Sequence, residues 1–496
     1  MSEISGGKRK KLYGWGKFPA VDGVCYRPEK LSEQDILLER AAGEKLSCIA
    51  RGSGLSYGDA AYNEGDKGLT IEQSRLDNFI AMDNVSGQIT VQAGVLLQEI
   101  MAVSVPRGWM VPVMPGVSRV TIGGAVACNI HGKNHVQAGN IGNYIVGLRL
   151  RLGGGDVREL MASSRKKSDK SLLSATIGGM GMTGVIEQVT LQLVPATSAS
   201  FRVDVVTTQS IYEMIEQFIK TRDSHSYRVG WLDHFVPDRG VFEAAEIAVA
   251  DGVSDDVGNK AVDKAAVKVK DYHPDVKRFS IPSLIPFRVV NNISMRLYNI
   301  LRFRRNNRHR GSKLVGMDAF LHPLETLGNW HHLYGRKGLI QYQCLIPCDK
   351  TNSEEIIERI ETCLNHFRNQ GLYAYLVVLK EHKDDNSGML SFASEGYSLA
   401  LDFPYSEQLA MVCEELNQMV NEWGGRVYLA KDALLTAESF NKMYGSVLPE
   451  WQKILSQVNP KQQLTSAMAK RLQFYPVREE SEQGEQLVGE GGSDES

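Results

Sequence analysis

The chain has 496 residues, 43% hydrophobic and 23% charged, which is near the globular average and too long for one hydrophobic core, so two domains are expected. Its formal net charge of −2 gives no global attraction to nucleic acid, so no nucleic-acid partner is expected and any basic surface must be local. Seven cysteines, at 25, 48, 128, 344, 348, 363 and 413, include no CxxC pair, which argues against a disulfide framework or a zinc knuckle and suits a reducing cytoplasm.

The opening "MSEISGGKRKKLYGWGKFP" is basic but has no apolar region after it, so it does not read as a secretory signal. No stretch approaches the roughly 18 apolar residues of a spanning helix. From Cys48 a strand-like "SCIA" leads into the glycine loop Arg51 to Asp59, and then into "GLTIEQ" and "GQITVQAG". Further short strands separated by glycine turns end at Pro195. After about residue 200 the periodicity changes. "SIYEMIEQFIKTR", "SEEIIERIETCLNHFRNQ" and "SEQLAMVCEELNQMVNEWG" place apolar residues at three- and four-residue spacing, next to strand-like "YRVGWLDHF", "GLIQYQCLIP", "AYLVVLK" and "YSLALDFP". The pattern predicts an α+β protein whose second half is a sheet covered on one face by helices. The acidic, Gly/Ser-rich end 477–496 reads as a disordered tail.

The loop "GSGLSYG" resembles the dinucleotide fingerprint GxGxxG, but Tyr57 stands where the third glycine belongs and the next element reads as a strand. A Rossmann site needs a helix there, so that its free N–H groups meet the pyrophosphate. Successive backbone N–H groups in turns can still form an anion-binding concavity. Glycine clusters recur in Pro115 to Gly124, "HGKNH" and Thr176 to Gly184, and four in one half-chain favour that reading over ordinary turns.

"IARGSGLSYGDAAYN", "MPGVSRVTIGGAVACNIHGKNH", "ATIGGMGMTGVI" and "VYLAKDALLTAESFNKMY" together resemble flavoenzymes of the vanillyl-alcohol oxidase or PCMH type. "IHGKNH" and "HPLETLGNWHHLYGRKGLIQYQCLIP" are similar to its branch that oxidises polyprenylphosphoryl ribose. The resemblance implies an FAD-binding domain over 12–196 completed by 426–475, with a substrate domain built on an antiparallel sheet inserted at 197–425. It places FAD against Arg51, Gly52, Ser53, Gly54, Leu55, Ser56, Tyr57, Gly58, Pro115, Gly116, Thr121, Gly123, Gly124, Cys128, His131, Gly132, Gly181, Ile186 and Tyr428. Relatives that bond flavin covalently carry a histidine in G-x-G-H-S. This chain has Leu55 there, which has no nucleophile, so FAD is expected to be non-covalent.

Between His131 and His135 stands Gly132, where a helical zinc motif would carry glutamate, and glycine disfavours the helix itself. The stretch is read as active-site wall, with small residues letting backbone pass close to the flavin. By resemblance the catalytic candidates are Lys431, His131 and Lys380, and the substrate-binding candidates are Tyr57, Lys133, Gln341, Gln343 and Tyr428. A lysine desolvated beside a flavin has a lowered pKa and can act as a base or as the partner of an alkoxide. Where some relatives carry an aromatic and G-W-N-x-C-x-D-F-P, this chain has His382, Ser398 and Ala400, which alters the pocket wall.

The implied activity is oxidation of the sugar C2 hydroxyl of polyprenylphosphoryl-β-D-ribose, the first half of an epimerisation towards the arabinose donor of cell-wall arabinan. A separate NADH-dependent reductase is the implied partner. Alternatives are an oxidase of free sugars, alditols or aldonolactones, or a flavin-binding protein without turnover. The basic run Met295 to Lys313, with Arg302, Arg304, Arg305, Arg308 and Arg310, reads either as a solvated loop or as a mobile insertion docking the enzyme on the inner face of a membrane.

Overall fold

The computed structural model describes residues 7–237, 239–248, 267–274, 279–282, 289–349 and 352–475. The expected tail at 477–496 lies outside the described residues. Strands Lys8–Tyr13, Ala20–Tyr26, Gly65–Glu72 and Ser47–Arg51 lie side by side in that order, the last three parallel and the first antiparallel. An antiparallel sheet follows, ordered Phe79–Asp83, Gln88–Gln92, Val185–Gln192, Ile145–Arg151 and Val157–Met161. Ile89 and Val91 face Leu191 and Val189 across it and are fully buried, because a strand sends alternate side chains to one face. The element after Ser47–Arg51 is a strand, so no helix N-terminus follows the glycine loop.

The largest sheet has eight strands, ordered Gly311–Gly316, Ser200–Thr208, Gly240–Ile247, Tyr227–Leu232, Leu376–His382, Gly396–Pro404, Leu339–Pro347 and Arg426–Val427, all paired antiparallel. Alternation sorts its two faces. Tyr342, Cys344, Val377, Leu379, Leu399 and Leu401 join the core beneath the helices Ile211–Lys220, Ser353–Asn369 and Glu407–Glu422. Gln341, Gln343, Val378, Lys380 and Ala400 point the other way, into a cavity. The three helices bury the apolar stripe their spacing predicts, and each starts at a side-chain cap: Ser210, Asn352 and Ser406 accept from the backbone N–H three residues on.

The C-terminal segment returns to the first sheet. The Cys48 N–H donates to the Gln463 carbonyl, and the Thr465 N–H donates to that of Cys48. Arg471 then bridges Asp59, at the end of the glycine loop, and Asp432.

The expectation of a mobile loop at Met295 to Lys313 is corrected. Residues Asn292–Arg308 form a helix capped by Asn291, which accepts from the Ile293 and Ser294 N–H groups. Gly311–Gly316 is the edge strand beside Ser200–Thr208. Charge density suggested a solvated run, but the polar residues of one face have buried partners. Asn299 donates to Asp233 at 3.0 Å, the Arg302 guanidinium lies 4.5 Å from the Trp231 ring, and Thr207 donates to Asn307.

Candidate active site

A cavity of about 410 Å³ lies between the glycine loop, the segment 114–133 and the open face of the large sheet. Its first wall depends on missing side chains. A Cβ on Gly52 would collide with the Thr121 hydroxyl, which caps the helix Ile122–Ala127. Gly54 has φ +68°, a left-handed conformation costly for other residues, and the Arg51 guanidinium packs where its Cβ would stand. Of the expected cofactor residues, all line the cavity except Arg51 and Gly58. Those two stand behind it: Arg51 donates to the Tyr13 carbonyl, and Gly58 abuts the Asp432 backbone.

The expected catalytic and substrate residues line the same cavity. Tyr57 is tied by its N–H to the Ala430 carbonyl, and the Lys431 Nζ sits 4.0 Å from the centre of its ring. The Tyr428 hydroxyl donates to the Cys128 carbonyl at 2.9 Å, joining the large sheet to the glycine-rich segment. Lys133 donates to the Phe320 carbonyl and lies 4.1 Å from that ring's centre. The Gln341 amide donates to Asp402, whose second carboxylate oxygen is buried without a partner among the described residues.

His131 is packed against Phe392, Tyr428 and His382, with ring centres 4.9 to 5.5 Å away. Its Nε2 is 3.0 Å from the Gln343 amide nitrogen. With that amide donating, the ring's proton lies on Nδ1, which is buried and has no partner among the described residues. A buried donor left open at a cavity wall fits a ligand acceptor. His135 differs. It accepts from the Lys383 N–H and pairs with Asn140, so it holds the wall in place. His382 pairs with the Ser398 hydroxyl at 2.8 Å, so these two departures from the family pattern form one unit.

Burial sets the protonation of the site. It lowers Lys380 to about 7, helped by the charges of Lys431 and Lys133. It lowers Lys133 to about 8, opposed by Glu243. Lys431 is also lowered by burial, but Asp402 opposes the shift. Burial pushes the Asp402 carboxyl up, with Gln341 and Lys431 acting against it. His131 falls well below its usual value through burial and the neighbouring cations and is neutral at pH 7.

An FAD binding domain family matches residues 24–161. Over 482 residues, 94% of its length and 98% of the relative's, the chain is 33% identical to the decaprenylphosphoryl-beta-D-ribose oxidase of Mycolicibacterium smegmatis. The chain belongs to this family of PCMH-type FAD oxidoreductases. The flavoenzyme is also 25% identical over 234 residues to L-gulonolactone oxidase of Mus musculus, spanning 47% of this chain and 50% of that one. With D-lactate dehydrogenase of Anaerostipes hadrus it shares 30% identity over 183 residues, 37% and 36% of the two chains. FAD is its cofactor, and it acts on hydroxyl groups as an oxidoreductase. The glycine cradle and the open Nδ1 of His131 fit that cofactor.

Among the cavity residues that the sequence did not single out are Trp231 and Arg302, and Asp402, which accepts from the cavity residue Gln341, was missed as well. Asp402 carried a signal, since it continues the two-residue spacing of Ser398 and Ala400. Trp231 likewise follows the alternation of its strand. Arg302 carried none, because nothing local separates it from the surface arginines around it.

Proposed function

We propose that this flavoenzyme oxidises the C2 hydroxyl of polyprenylphosphoryl-β-D-ribose to the 2-keto sugar, leaving a separate NADH-dependent reductase to complete the epimerisation. The observation that carries the reading is the placement of three buried lysines, Lys133, Lys380 and Lys431, with Gln341 and Gln343 on the lining of one cavity. Burial, with the charges of Lys431 and Lys133 beside it, lowers Lys380 to about 7, so its free amine is abundant at neutral pH and takes the hydroxyl proton. Lys431 faces Asp402, which favours its ammonium form, and that charge stabilises the developing alkoxide. Burial lowers both lysines, Lys380 to about 7 and Lys431 to about 8, and the Asp402 carboxyl beside Lys431 is the difference on which the two roles rest. FAD, when bound, supplies the acceptor for the hydride leaving carbon.

Lys133 and Arg302, opposed by Glu243, give one part of the cavity a net positive charge that suits a phosphodiester. Gln341, Gln343 and Tyr57 offer hydrogen bonds to sugar hydroxyls. Neither a free sugar nor an aldonolactone carries an anion for Lys133 and Arg302 to meet. The test is anaerobic bleaching of the flavin band near 450 nm by polyprenylphosphoryl ribose, with free ribose and aldonolactones alongside. Bleaching by the lactones alone would overturn the substrate assignment.

A further inference from the structure

The helix Asn292–Arg308 carries apolar side chains on its exposed side as well as on its inward side. Asn299 is buried against Asp233 and Arg302 packs on Trp231 in the cavity wall, beside the partly buried Met295 and Phe303, so its inward face is mixed. The outward face carries Ile293, Leu297 and Leu301, exposed by 84%, 57% and 55%. Their i, i+4, i+8 spacing puts them in one row along the helix. Arg304, Arg305 and Arg308 continue that exposed side into the C-terminal half, and residues 292–313 contain no Asp or Glu. A contiguous apolar ridge beside cations that have no acidic partner among the described residues marks a surface that meets a partner.

We infer that this ridge docks the enzyme on an anionic lipid bilayer, with the three aliphatic side chains entering the acyl boundary and the arginines meeting phosphate headgroups. Charge decides the occupant. A second copy of this chain would bring a like set of arginines against the first, and their repulsion opposes a symmetric dimer. A neutral apolar partner leaves the arginines unused, whereas a bilayer of anionic lipid satisfies both halves of the face. Tyr298 and Arg302 of the same helix line the cavity, so the docked element also forms part of the cavity wall. For a substrate with a polyprenyl tail, a point that rests on the function proposed above, sugar and tail could then stay on opposite sides of one helix.

The test uses the full-length, FAD-loaded protein and sedimentation with vesicles of phosphatidylcholine, with and without phosphatidylglycerol. Two variants are compared with the parent: Ile293→Ser with Leu297→Ser and Leu301→Ser, and Arg304→Ser with Arg305→Ser and Arg308→Ser. The parent is expected to sediment with the anionic vesicles only. The arginine variant should bind roughly 10²-fold more weakly, in line with the attraction of each basic residue near an anionic surface. The aliphatic variant should also bind more weakly, and parental binding should fall at about 1 M salt, where the Debye length is about 3 Å. Flavin content and visible spectrum should be unchanged in both variants, and if the aliphatic variant fails to fold, the arginine variant still decides. A parent that ignores anionic vesicles, or an arginine variant that binds as well as the parent, overturns the inference. So does a dimer in sedimentation velocity that the aliphatic variant abolishes. Bleaching by a water-soluble, short-prenyl substrate without vesicles tests the reaction separately, so the two readings can fail independently.

Discussion

Replacing Lys380 with methionine removes the amine while keeping a side chain of similar length. The lysine falls from 10.5 to about 7, so about half the molecules hold a free amine at pH 7, where an unperturbed lysine would do so in roughly one of 10³ to 10⁴. In stopped-flow bleaching, the parental rate should rise with pH through about 7 and then level, because the amine must lose its own proton before it accepts the substrate's. Lys380→Met should lower the rate roughly 10²- to 10⁴-fold, the range of a positioned base, and remove that limb of the profile. The sign for stability is opposite. The folded pKa is depressed, so the native state bears its full penalty below about 7 and loses it as pH rises towards 10.5. The substitution should therefore stabilise the cofactor-free protein most below pH 7, by at most about 5 kcal/mol before water in the cavity screens the charge. A parental rate that is flat across pH 7, or a near-normal rate for Lys380→Met, would refute this reasoning and move the base to Lys431 or His131.

Lys431→Ala should keep the yellow colour, because the glycine cradle is untouched, yet lose bleaching by roughly 10²-fold or more. Denaturation in acid should release free FAD into the supernatant, since Leu55 has no nucleophile; flavin pelleting with the chain would show another attachment residue. Gly52→Ala should lower flavin content in the purified protein, because the new methyl meets the Thr121 hydroxyl; a normal ratio of absorbance at 450 nm to protein would contradict the cradle geometry.

Much of the site was legible because it is local in sequence. The glycine clusters, "IHGKNH", "IQYQC" and "YLAKD" each bring their residues to the cavity, and the three amphipathic helices cover the face of the sheet their spacing predicts. The strand order was not legible. Ser200–Thr208 lies between Gly240–Ile247 and Gly311–Gly316, a choice made by long-range packing that no local pattern records. The arginine run was misread for a related reason. Whether Asn299 and Arg302 turn inward depends on Asp233 and Trp231, which lie more than sixty residues away in sequence.

Asp59, at the end of the glycine loop, is held by Arg471, 412 residues further along the chain. During synthesis the cradle therefore leaves the ribosome long before the residue that clamps it. For most of translation the loop lacks that clamp, so cofactor capture should follow chain completion rather than accompany it. A chain broken off before Arg471 lacks the ion pair that holds Asp59 and should emerge with less flavin than the full-length protein.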